Sequence, residues 1–367
     1  MSDDITRQFI ETYTQESEPT MFLTQMTQSP PRNFHSSEEV EFDIVRSDEE
    51  IAVVVQDLST GYRMNSNDIY TNKAFRPPIL KEAIPINAFD LIKRQYGQDP
   101  FQSPDFRANL MMRMFSGMRE VERKIRRHVE VQASQVMQTG QLSLVNAAAN
   151  ALYTLNFAPK ASHFPQVTTS WSAGGATPLD DLASLATVIR DDGLMDSDMV
   201  VMGNAAFRNF IRNTTVQAHF DNRRINQGDI VPMQFRNGGG QFRGEVDIDN
   251  YKFQVWTYNG RYNPPQGGTK VPYVGANNVI MKSMDTRIDA TFGAIPNIGR
   301  EIGANTAAAS LLPEMPGRIS DGQQRMDMFT NVWMSADGEQ LFGGIGARPL
   351  VIPTAIDQFG TLNTVAP

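Results

Sequence analysis

The chain has 367 residues, of which 40% are hydrophobic and 20% charged, enough to bury a sizeable core in two domains or one elaborated domain. It contains no cysteine, which excludes disulfides, thiolate metal sites and cysteine nucleophiles, and it has no run of 18 apolar residues to cross a bilayer. The net charge of −8 is concentrated at one end, since residues 1–50 hold 12 Asp/Glu and 3 Lys/Arg, and the near-neutral remainder lacks the footprint of a sequence-reading nucleic-acid binder.

In chain order, residues 1–38 are polar and acidic, with a Pro30-Pro31 pair and little periodicity. They read as an extended arm, mobile until a partner orders it. The opening MSDDITRQFI has acids where a secretory leader needs a basic and then an apolar region. VEFDIVRSDEEIAVVV alternates and then turns continuously apolar over Ile51–Val55, which predicts strand. Residues 52–84 follow with two weak strand-like runs, the turn-rich STG and NSND, and the stop Pro77-Pro78. That pattern predicts a long projecting hairpin with little core of its own. Deleting residues 56–80 is therefore expected to leave the subunit folded.

Ser103-Pro104 has the form of a helix N-cap followed by proline in the first turn. Behind it, Leu110, Met114, Met118, Val121, Ile125, Val129, Gln132 and Val136 recur every three or four residues until Gly140. One helix of about 35 residues, about 50 Å long, is predicted. Its outer face carries Arg123, Lys124, Arg126 and Arg127, a solvated face or a surface toward nucleic acid or a neighbour.

Thr177-Pro178 starts a second helix, with Asp180 and Asp181 at its positive end and Leu179, Leu182, Ala186 and Ile189 on its buried side. Met199–Gly203 reads as a buried strand, and Asn204 as the cap of a short helix holding Phe207, Phe210 and Ile211. RNGGGQFRG from Arg236 lacks the Lys-Ser/Thr of a phosphate loop and runs into the strand-like EVDIDNYKFQVWTY, so a hairpin turn is expected there. Near the end, MDMFTNVWMSADGEQLFGGIGARP alternates on both sides of Asp337-Gly338, the pattern of a hairpin.

Candidates for chemistry are few. His35, His128, His163 and His219 are far apart in sequence, with no metal-binding spacing. Acid pairs such as Asp191-Asp192 lie at helix ends, where caps are usual, and no nucleophile and base stand in a recognisable context. The chain reads as a non-enzyme without cofactor or metal. An arm, a hairpin and a strut helix are means of reaching neighbours, and 19 Met with 21 Phe supply adaptable apolar surface.

The order of arm, strand, hairpin, long helix and α/β insert resembles the major capsid proteins of tailed bacteriophages, the Hong Kong 97 (HK-97) fold. More narrowly, NNVIMKSMDTRIDATFGAIPN, with Arg287, Phe292, Gly293 and Ile295, is similar to the late segment of the lambda-type major capsid protein E family. MVVMGNAAFRNFIRN, HFDNRR and RPLVIPTAIDQF also fit that family. The resemblance implies an α+β capsid fold. Its parts would be an arm over 1–38 and an extended loop over 52–84. A peripheral domain would combine 39–51, 85–177 and 321–367 around a spine helix at about 104–138, and an axial domain would span 178–320.

It further implies assembly into pentamers and hexamers of an icosahedral phage head, without a membrane. Scaffolding protein, portal and decoration protein would be partners, and packaged double-stranded DNA would be contacted non-specifically. Its place would be the virion, assembled in the host cytoplasm. Tyr62, Arg63, Arg76, Arg287 and Phe292 become candidate inter-subunit contacts, and Arg123, Lys124, Arg126 and Arg127 candidate genome-facing groups. Two readings stay open beside it, a shell of another virion or encapsulin-like compartment and an unrelated α/β enzyme. The 279–297 stretch is expected to run from a buried strand through an exposed charged segment into a glycine turn stopped by Pro296.

Overall fold

The computed structural model describes residues 21–26, 39–45, 70–87, 106–145, 151–221, 239–248, 250–265, 267–293, 295, 328–335 and 340–367. The strand expected at Ile51–Val55, the Ser103-Pro104 cap, Arg236–Gly238, the Asp337-Gly338 turn and Pro296 lie outside these residues.

The first described element is a single helical turn, α1 (Phe22–Gln25). Strands β1 (Val40–Val45) and β2 (Tyr70–Phe75) then pair antiparallel, Val40 opposite Phe75 and Val45 opposite Tyr70. β3 (Leu80–Asn87) leads toward the long helix α2 (Phe106–Thr139). Its 34 residues give a length of about 51 Å. α2 stops where the periodicity does. Gly140 takes φ +62° and donates its N–H to Val136 O at 2.8 Å, a left-handed closing residue that needs no Cβ.

β4 (Gln141–Val145) and β5 (Ala151–Asn156) form a hairpin beyond α2. Helix α3 (Pro178–Gly193) starts with proline in its first turn, as predicted. Thr177 occupies the cap position without a side-chain bond, and Asp181 instead accepts from Trp171 Nε1 at 2.8 Å. β6 (Met199–Met202) is followed by α4 (Asn204–Arg212) and α5 (Thr214–Asp221). The cap of α4 is Gly203 rather than Asn204, because the backbone there passes against Gly275 and Ala276. A Cβ on residue 203 would stand 2.1 Å from Gly275 O.

The run expected as one strand after the glycines is a hairpin, β7 (Gly240–Ile248) and β8 (Tyr251–Tyr258). Short β9 (Arg261–Tyr262) and β10 (Val271–Pro272) pair with each other. β11 (Asn278–Lys282) and β12 (Ile288–Phe292) complete the middle segment. The last part contributes β13 (Phe329–Met334), β14 (Gln340–Ala347), β15 (Pro349–Pro353) and β16 (Phe359–Asn363).

The main sheet has the order β16-β11-β6-β8-β7, with only β6 and β8 parallel. Its edge strand β16 comes from the C-terminal segment, which the sequence reading grouped with the peripheral part. Alternation splits the sheet's side chains between two cores. Met199, Val201 and Ile280 face the C-terminal half of α2, with Val129, Ala133, Val136 and Met137. Val200, Met202, Val279 and Met281 face Leu182, Leu185, Ala186 and Ile189 of α3, with Trp171 and Phe210. A third core lies under the N-terminal half of α2, where Met114, Met118, Val121 and Ile125 cover the sheet β13-β14-β3 through Ile86, Ile345 and Ala347. The long helix is thus a strut common to two sheets, and its predicted stripe is what both bury. Gln132, polar within that stripe, is bound on both sides by β15, donating to Pro349 O and accepting from Val351 N.

Candidate assembly surfaces

The antiparallel pair β1–β2 flanks residues 46–69, which lie outside the described residues. Val40 roots the pair in the main core and Phe75 meets Tyr153 of β5 edge to face at 6.1 Å. β3, whose first residues the sequence reading gave to the extended loop, is paired from Leu80 to Asn87 with β14. Arg76 is exposed directly after β2. Tyr62 and Arg63 lie outside the described residues.

On α2 the four basic candidates do not form one free patch. Lys124 Nζ is 3.0 Å from Glu82 and 3.9 Å from Glu120, and Arg126 donates from Nε to Glu122 at 2.8 Å. Arg123 is partly buried and Arg127 exposed. Lys124 and Arg126 are therefore matched within the subunit. His128 beside them is partly buried, its Nε2 enclosed without a hydrogen-bond partner among the described residues, and burial pushes its pKa down to about 4.

The segment containing Arg287 and Phe292 turns inward more than expected. Its charged stretch is not simply exposed, since Lys282, Thr286 and Asp289 are buried while Met284, Asp285 and Arg287 face outward. The cause is that this turn joins strands of two different sheets, β11 of the main sheet and β12, which pairs with β15. Asp289 accepts from Thr354 Oγ1 at 2.9 Å and Arg287 Nε at 3.3 Å. Phe292 is partly buried at the end of β12 opposite Pro349, and Gly293 N donates to Arg348 O. Arg287 and Phe292 stand at opposite ends of one strand.

Two arrangements have no signal in the sequence reading. Trp333 of β13, 42% exposed, stacks on Phe342 of β14 with centroids 5.4 Å apart and planes 13° apart. Alternation placed both residues in strands, but pairing alone brings the rings together. The other lies in the arm. Phe22 and Leu23 are 2% and 0% exposed, inside the main core. Residues 21–26, which the sequence reading placed in an extended arm mobile until a partner orders it, instead pack on their own subunit, because Glu130, fully buried on α2, holds them. Glu130 accepts from Leu23 N at 2.9 Å, Thr24 N at 2.8 Å and the Thr24 hydroxyl. Burial pushes the pKa of Glu130 up, against the pull of those donors and of Tyr258. Lys282, also buried, donates to Met26 O at 3.2 Å, and burial pushes its pKa down to about 8. A Phe-Leu pair in a polar arm was the only available hint.

Among the described residues no group of three or more His, Asp or Glu is arranged to hold a metal, and no helix is long and apolar enough to cross a membrane. What the architecture offers is contact surface on a body built around three cores.

The fold is that of phage capsid proteins. A prophage protein of Escherichia coli CFT073, described as its capsid protein, superposes with a TM-score of 0.65 at 15% identity, covering 94% of this chain and 93% of that one. The capsid of Ralstonia phage GP4 aligns with a TM-score of 0.50 at 10% identity, over 93% of this chain and 87% of the other. An encapsulin from Synechococcus elongatus PCC 7942 covers 94% of this chain at a TM-score of only 0.42 and 10% identity. No curated protein matches the sequence. The profile of the family described as phage major capsid protein E matches residues 6–361. The chain belongs to that family and has the HK-97 capsid fold: it is a major capsid protein, a structural subunit of a multimeric virion shell.

Proposed function

We propose that the subunit assembles into the pentamers and hexamers of an icosahedral head that encloses double-stranded DNA. The observation that carries this reading is the family match over residues 6–361. The β1–β2 pair and the 34-residue strut are suited to reaching and bracing neighbours. The extended loop lies over an adjacent subunit, with Tyr62, Arg63 and Arg76 as contacts. Arg287 and Phe292 serve the interfaces of the axial part, residues 178–320, and residues 39–51, 85–177 and 321–367 make the peripheral part. Assembly proceeds in the host cytoplasm around a scaffolding protein and a portal, and a decoration protein binds the finished shell. The protein catalyses nothing.

DNA contact is weak and non-specific. Lys124 and Arg126 are matched by glutamates, and the exposed Arg127 is its main carrier. Electron microscopy of the purified protein with its scaffold tests the assembly. Closed shells with five- and six-fold rings are expected, and a subunit that stays monomeric with scaffold present would overturn the reading. Shells filled with protein rather than DNA would assign it instead to a cargo compartment.

A further inference from the structure

The turn Phe22–Met26 is held by groups that address its two ends separately. A helix leaves the N–H groups of its first turn without partners, and a side chain at the cap position normally takes those of the second and third residues. Here the cap position is Met21, which makes no such bond. Glu130, 107 positions away, accepts from Leu23 N and, next along, from Thr24 N. At the other end Lys282 donates to Met26 O. A carboxylate at the N-terminal end and an ammonium at the C-terminal end match the dipole of the turn.

Between the two charges the Phe22 side chain is closely packed. The Phe22 ring stands against Trp256 at 5.6 Å and Tyr258 at 5.4 Å, and it occupies the space beside Gly240, where a Cβ would come within 2.3 Å of the ring. Gly240 is not among the residues with positive φ, so it serves there for room and not for conformation. Its neighbours on β7 are mostly exposed, so Phe22 covers a strand end that would otherwise face water.

Four residues cannot sustain a helix alone, because nucleation costs more than one turn returns. Capping by Glu130 and folding of α1 are therefore a single event. We propose that Glu130, Lys282 and Gly240 form a receptor groove for the subunit's own Phe22–Met26 turn, and that this turn is a detachable strap, opening as a unit while the body stays folded. The strap anchors the arm between residues 1–20, with five acids and one arginine, and the start of β1. Its two states hold that acidic segment to its own subunit or release it to another. This inference rests on the groove and stands without the shell reading.

Native-state hydrogen exchange on the full chain, read by mass spectrometry of peptic fragments, tests it. The amides of Leu23 and Thr24 should be protected, and should exchange through an opening that leaves Val200, Val201 and Ile280 protected. Gly240→Ala should speed exchange of the strap amides about tenfold or more and leave those strand amides within about twofold of wild type. Lys282→Met should act in the same direction through the other end of the turn. Exchange of the strap only together with β6 and β11, at the same denaturant dependence, would overturn the proposal. Unchanged strap exchange in Gly240→Ala, or failure of that variant to fold, would count against it equally.

Discussion

His128 illustrates how one side chain on the strut sets a pH limit. Its enclosed Nε2 lacks a partner among the described residues, and burial holds the folded-state pKa near 4, below the ordinary histidine value. The unfolded chain then takes up the proton first as pH falls. The stability of the neutral form is fully present above about pH 6.5 and is lost progressively down to about pH 4, by at most about 3 kcal/mol. Replacing His128 with Leu removes the titrating group. The difference in melting temperature between wild type and His128→Leu should widen in favour of the variant from pH 7 to pH 4.5. A pH-independent difference would remove His128 as the cause. Nothing in the sequence marked this histidine, since its spacing from the other three carries no information about enclosure.

At the scale of elements, the strut was the most legible feature. A stripe repeating every three or four residues over eight turns has few interpretations, and Gly140 ended it where the left-handed backbone requires. Strand β6 was legible for a similar reason, as four apolar residues between polar neighbours. The β7–β8 hairpin was not, because its turn at Asn250 is flanked by the alternating VDI and YKF, which read as one continuous strand. Gln132 shows the remaining difficulty. Its place in the stripe was visible, but its role, pairing Pro349 O and Val351 N of β15, depends on a contact 217 and 219 residues away. Gln132→Ala would leave two buried backbone groups unpaired and should cost about 1–3 kcal/mol in urea unfolding. Gln132→Glu should cost more at neutral pH, because a carboxylate cannot donate to Pro349 O. A loss of under about 0.5 kcal/mol in the alanine variant would mean that water replaces the side chain fully.

At the scale of the whole molecule, the hairpin and the body can be separated experimentally. The deletion of 56–80 expected from the sequence to leave the subunit folded removes β2 and the start of β3, and with them the pairings to β1 and β14. It should therefore destabilise the subunit. A cut confined to residues 48–67, closed by a short Gly-Ser turn, keeps every described pairing. That variant should retain the wild-type melting temperature within about 1.5 °C, which corresponds to roughly 1 kcal/mol for a chain of this size. It should nevertheless fail to form closed shells under electron microscopy with scaffold present. Shells of normal size from this variant would show that the extended loop is dispensable for assembly. Loss of folding would show that the loop contributes core.

Read alone, the sequence determined the local grammar of this subunit: the strut and its end, the proline-led start of α3, the buried strand β6, the absence of thiol chemistry and the family likeness carried by the 279–297 segment. These follow from periodicity and residue type within a few turns of chain, where near neighbours dominate. Tertiary structure alone decided which strands share a sheet, so that β16 closes the sheet begun by β6. It also buried Lys282, Thr286 and Asp289 in the charged stretch that leads from β11 into β12, because that stretch joins two sheets. It matched Lys124 to Glu82 across 42 residues, and it turned two apolar residues of a polar arm into a strap under Glu130. The reason is the same in each case: a charge or an amide is satisfied by whatever the fold brings within about 3 Å, and sequence separation says nothing about that distance.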